Sequence, residues 1–109
     1  MQRFVLTLDL KDSPEAIARY EEAHRAVWPE ILEGICSVGI AAMDIYRLGT
    51  RMVMILEIPD GVDRDAAMAR LATLPRQAEW EEFVGQFQQC EPGSTSAGKW
   101  REMTRIFSL

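Results

Sequence analysis

A single histidine and two cysteines are all that this 109-residue chain offers of the side chains most used for metal binding and covalent catalysis. Cys36 and Cys90 stand far apart with no C-x-x-C spacing, which argues against a zinc site or a dithiol redox motif and for two free thiols in a reducing compartment. The seven glycines form no G-x-G-x-x-G or other phosphate cradle, and there is no G-x-S-x-G; dinucleotide binding and the serine-hydrolase turn are thereby removed. Basic charge is also in deficit. Twelve Lys and Arg against seventeen Asp and Glu leave −5, spread along the chain, so neither a nucleic-acid footprint nor a polybasic membrane patch is visible. No apolar run nears the roughly 20 residues that span a bilayer, and the residues after Met1 lack a signal-peptide core. The expectation is a cytoplasmic protein whose partner is a small, neutral or weakly polar molecule.

What is present is ordinary globular composition, 48% hydrophobic and 27% charged, enough for one domain over residues 1–109. Phe4, Leu6, Leu8 and Leu10 alternate with Arg3, Val5, Thr7 and Asp9, which predicts a first strand. Ser13-Pro14-Glu15 is a helix start, with a side-chain acceptor at the cap, proline in the first turn and a carboxylate at the positive end. Pro29 has no N–H and clashes one turn back, so this helix should kink or restart near Trp28 before ending around Gly39. Residues 40–48 and 51–58 read as strands joined by the tight Gly49-Thr50 turn. Residues 63–74 and 75–87 read as two helical segments, the second with Trp80, Phe83, Val84 and Phe87 on one stripe. A Gly-, Ser- and Gln-rich loop, 88–98, precedes a final strand from Trp100 to Ser108.

Strand, helix, strand, strand, helix, strand is the order of the ferredoxin-like split βαβ unit, an α+β fold with a four-stranded antiparallel sheet and helices on one face. Val53 and Ile55 alternate with Met52, Met54 and Leu56, so both faces of the third strand are apolar. Helices cover only one of them. A homodimer with sheets packed face to face, the dimeric α+β barrel, is the expected cover for the other.

The lone histidine lies in Y-E-E-A-H-R-A-V-W-P-E, residues 20–30, which sets Tyr20, His24 and Trp28 at four-residue spacing on one helical face. A histidine is the side chain best suited to exchange protons near neutrality, and a neighbouring phenol and indole supply a hydrogen bond and a stacking wall. The same spacing suits a buried core histidine, and periodicity alone does not choose. Trp80 and Tyr46 are further candidate walls by the same reasoning, with core packing as the alternative for each. Glu21, Glu22, Glu79, Glu81 and Glu82 read as a solvated helix face.

Y-x-x-x-H-x-x-x-W-P-E at residues 20–30, the I-Y pair at Ile45 and Tyr46, the run from Met52 into Glu57 and the tryptophan at Trp80 resemble the L-rhamnose mutarotase family from end to end. The resemblance implies dimeric ferredoxin-like proteins that interconvert the anomers of a 6-deoxy sugar without metal or organic cofactor. It implies His24 as the proton-transfer residue and Tyr20 and Trp80 as substrate contacts. Two positions depart: Met43 stands where the rhamnose enzymes carry a second substrate tyrosine, and Glu81 where they carry a second consecutive tryptophan. I-Y-R-L-G-T-R at 45–51 and the ending K-W-R-E-M-T-R-I-F-S-L look like the L-fucose branch, in which Glu81 would accept a hydrogen bond from a sugar hydroxyl. Rival readings on the same scaffold are a non-catalytic ligand-binding module and a small oxygenase, since fold does not fix function.

Overall fold

The computed structural model describes residues 1–109. The elements run β1 (Gln2–Asp9), α1 (Pro14–Arg25), α2 (Pro29–Ser37), β2 (Ala42–Leu48), β3 (Arg51–Ile58), α3 (Arg64–Leu71), α4 (Gln77–Gly85), α5 (Ser96–Lys99) and β4 (Arg101–Glu102). The sheet order is β2-β3-β1-β4 with every neighbouring pair antiparallel, the ferredoxin-like α+β arrangement expected from the element order. No helix is long and apolar enough to cross a membrane.

The caps act where the sequence places them. Ser13 accepts from the Ala16 amide at 3.3 Å and Pro14 opens the first turn of α1, so two of the helix's free N–H positions are dealt with locally. The chain leaves the helix at Ala26 and restarts at Pro29, which occupies the first turn of α2, where its missing N–H costs nothing. The restart turns Trp28 out of the line of α1.

Cross-strand register sorts the side chains onto two faces. Leu6 lies opposite Met54, Leu8 opposite Met52, and Ile45 opposite Met54, so these residues, with Met43 and Leu56, point toward the helices. One core cluster gathers Leu8, Leu10, Tyr20, Ile31, Met52, Met54, Trp80, Val84, Phe87 and Trp100. A second gathers Val38, Ile40, Leu56, Ile58, Ala67 and Leu71. The opposite face carries Val5, Thr7, Tyr46, Val53 and Ile55, framed by the ion pairs Arg3–Glu57 and Arg51–Asp9, each at 3.1 Å. No element of the chain covers it.

One expectation is corrected. The final strand is Arg101–Glu102 instead of Trp100–Ser108, extended only by the Met103 amide donating to Val5 O at 2.7 Å. Residues 104–109 alternate in the manner of a strand but run past any partner within this chain, leaving Ile106 94% and Phe107 77% exposed. The loop 88–98, long enough to fold over a pocket, contains the start of α5 and brings Ser96 and Ala97 to the cavity on the helix side of the sheet.

Candidate active site

Helix α1 presents Tyr20 and His24 one turn apart, with ring centroids 4.2 Å from each other. His24 Nδ1 lies 2.9 Å from the Tyr20 carbonyl oxygen. A carbonyl only accepts, so Nδ1 carries the hydrogen and Nε2 keeps a free lone pair. Burial holds the imidazole below its ordinary pKa of 6.5, opposed in part by that backbone hydrogen bond. The ring is therefore neutral and basic near pH 7.

Tyr20 is almost fully buried, and burial pushes its phenol up to about 12; the Glu81 charge adds to the rise and a hydrogen bond from Gln88 opposes it. The Gln88 side-chain amide donates to Tyr20 Oη at 3.3 Å. Tyr20 thus stands as a protonated hydroxyl beside a neutral base.

Trp80, from α4, sets its ring 5.4 Å from the imidazole at 65°. Trp28 packs its edge on Trp80 at 5.1 Å and stacks on Phe83 at 5.6 Å, with the Arg76 guanidinium 4.1 Å above its ring. Arg76 itself holds a left-handed backbone, φ 65°, and its guanidinium pairs with Glu79 (2.9 Å) and Glu30 (3.4 Å). Trp28 is therefore a prop behind Trp80 and does not line the cavity.

That cavity, of about 710 Å³, opens between the helices and the sheet where the two core clusters meet, within the usual size of small-molecule sites. Tyr20, His24 and Trp80 line it together with Met43, Gln77, Glu81, Gln88, Lys99 and Trp100. Tyr46 does not. The β2 register turns it to the uncovered face, where it is 61% exposed, because its neighbours Ile45 and Arg47 take the helix side.

Glu81, read as part of a solvated face, is only 8% exposed. It pairs with Lys99 at 2.8 Å and accepts from Gln77 at 2.9 Å and from the Ser96 hydroxyl. Gln77, Gln88, Ser96 and Lys99 escaped the sequence reading. The spacing Gln77, Glu81, Val84, Gln88 follows the inner stripe of α4 and its C-terminal extension, and was the available signal. Lys99 had none, since it meets Glu81 only through the fold.

Residues 3–109 match the family described as L-rhamnose mutarotase. The chain belongs to that family. An L-fucose mutarotase of Xanthomonas campestris pv. campestris is 43% identical over 111 residues, covering 100% of this chain and 89% of that protein. A crystal structure of an L-rhamnose mutarotase from Formosa agariphila superposes with TM-score 0.71 at 15% identity, covering 100% of this chain and 99% of that one. An antibiotic biosynthesis monooxygenase shares the fold at TM-score 0.59 and 19% identity, covering 96% and 99%. Fold alone would thus leave the oxygenase rival standing; the full-length family match decides for a sugar mutarotase, an isomerase acting at the anomeric carbon.

Proposed function

We propose that the protein interconverts the α and β anomers of a 6-deoxyhexose, L-fucose ahead of L-rhamnose, with His24 as the proton-transfer residue. The observation that carries the chemistry is the neutral imidazole whose Nδ1 is committed to the Tyr20 carbonyl, leaving Nε2 free beside a protonated phenol. The sugar preference is supported by the 43% identical L-fucose mutarotase.

Nε2 takes the proton from the anomeric hydroxyl while the ring oxygen gains one from the Tyr20 hydroxyl, and the bond between the anomeric carbon and the ring oxygen breaks. The open-chain carbonyl turns its other face, and the ring closes as both protons return. Each group ends as it began. Positioned acid and base groups contribute about 10²- to 10⁴-fold, ample for a reaction that water already allows. Trp80 offers an apolar wall to the C–H side of the sugar, and Trp28 holds it in place.

The working form is a homodimer in which a second copy covers the uncovered sheet face, and the compartment is the reducing cytoplasm. The exposed Tyr46, Leu48, Ile106 and Phe107 support the first, and two free thiols the second. Exchange NMR on L-fucose and L-rhamnose side by side tests the reading. Faster transfer of magnetisation between the α and β anomeric protons of L-fucose is expected; no acceleration for either sugar refutes mutarotation, and faster exchange of L-rhamnose refutes the preference.

A further inference from the structure

The acidic residue expected to bind the sugar already holds three partners within the chain. Glu81 Oε1 accepts from Gln77 Nε2 at 2.9 Å and from Ser96 Oγ, while Oε2 faces Lys99 Nζ at 2.8 Å. What remains unsatisfied lies around it. Lys99 Nζ has only the Glu81 carboxylate to satisfy its three N–H groups, and Gln77 Oε1 finds no donor, although both side chains are buried. Gln88 Oε1 also finds no donor. Native proteins leave few polar atoms unpaired, and here the two amide oxygens and the under-used ammonium belong to residues that line one cavity.

The chemistry of the orphans selects the ligand group. Lys99 can only donate and Gln77 Oε1 can only accept, and both are tied to the same carboxylate. An anionic group would meet Glu81 and could not donate to Gln77. A cationic one would meet Lys99. A hydroxyl does both, accepting from the lysine and donating to the amide oxygen.

We propose that Lys99 and Gln77 together read one hydroxyl of the bound sugar, with Glu81 as the positioning residue that holds them, and that this contact sets sugar specificity. The proposal rests on the sugar-binding reading above. L-Fucose and L-rhamnose have opposite configurations at C2 and at C4, so a fixed donor and acceptor aimed at either position pairs with one sugar and is left unpaired by the other. Lys99 comes from α5 and Gln77 from α4, so the hydroxyl also bridges the closing loop to the helix that carries Trp80.

The test is calorimetric titration of L-fucose and L-rhamnose, with anomer exchange measured on the same samples. The Glu81→Gln/Lys99→Met double variant removes both charges together, so no unpaired ion is left behind. It should bind L-fucose about 10- to 100-fold more weakly, with a smaller loss for L-rhamnose and the effect in KM more than in kcat. Equal affinity in parent and variant, an equal loss for both sugars, or no affinity in the parent overturns the assignment. If the double variant does not fold, Gln77→Met probes the same hydroxyl with the Lys99–Glu81 pair intact, and the same selective loss is expected and the same results overturn it. A parent that binds L-fucose more tightly than the variant yet speeds no exchange keeps this assignment and overturns mutarotation instead.

Discussion

The imidazole of His24 is tied by Nδ1 to the carbonyl oxygen of Tyr20, 2.9 Å away and one turn earlier in the same helix. The bond decides the tautomer and leaves Nε2 free, and no carboxylate partners the ring. His24 differs in this from a histidine held by an acidic residue, whose charge would raise its pKa.

Burial lowers the His24 pKa below 6.5, so the ring stays neutral as the solution is acidified further than a free histidine would allow. Anomer exchange should hold a plateau through neutral pH and fall as pH drops through the folded-state value. Stability follows the same sign: the unfolded chain takes up the proton first, so this contribution is full above 6.5 and is lost as pH falls through the lower folded pKa. Titrating the imidazole Cε1 proton by NMR checks it, and a midpoint at or above 6.5 contradicts the burial seen here.

His24→Ala should cut the exchange rate by about 10²- to 10⁴-fold. The side chain is half-buried and makes one hydrogen bond to its own helix, so the circular dichroism spectrum and a cooperative melt should survive. A folded variant with parental exchange kinetics would remove His24 from the chemistry.

Glu81→Ala strands a buried lysine. Breaking one side of a buried ion pair typically destabilises by about 3–5 kcal/mol; Glu81→Gln removes the same charge but keeps a neutral oxygen for Lys99, so it should fall well below the parent while losing less than Glu81→Ala. Urea denaturation of the two variants measures the gap. Midpoints equal to the parent's in both variants would mean that Lys99 reaches water.

The uncovered sheet face predicts a light-scattering mass of twice 12.4 kDa at micromolar concentration. Ile55→Arg places a charge in the middle of that face, on the side away from the helices, and should yield a folded monomer. A parent mass near 12.4 kDa, or an unchanged assembly in the variant, argues against face-to-face packing.

Local geometry made much of this protein legible before folding. The spacing of Tyr20 and His24 brings their rings together in any α-helix, because the helical period alone puts such residues on one face. Ser13-Pro14 starts α1 and Pro29 starts α2 through backbone effects confined to one turn. The strand order followed from elements that alternate at period two and from a two-residue hairpin turn. These are properties of neighbouring residues, and one chain segment carries them complete.

Other features belong to the packed molecule. Period two places Tyr46 and Ile45 on opposite faces without saying which one meets the helices, since both are apolar enough to be buried; pairing with β3 sent Ile45 inward and Tyr46 out. The apolar alternation of residues 100–108 promises a strand, but a strand needs an edge to pair with, and β1 accepts only its start. Trp28 lost its place at the cavity when the break before α2 turned it onto Trp80. Glu81 reads as a surface carboxylate until Lys99 arrives from another element to neutralise it. A charge is driven outward by its own desolvation cost and held inside only by a partner, and where that partner lies is decided by which surfaces pack together across the whole fold.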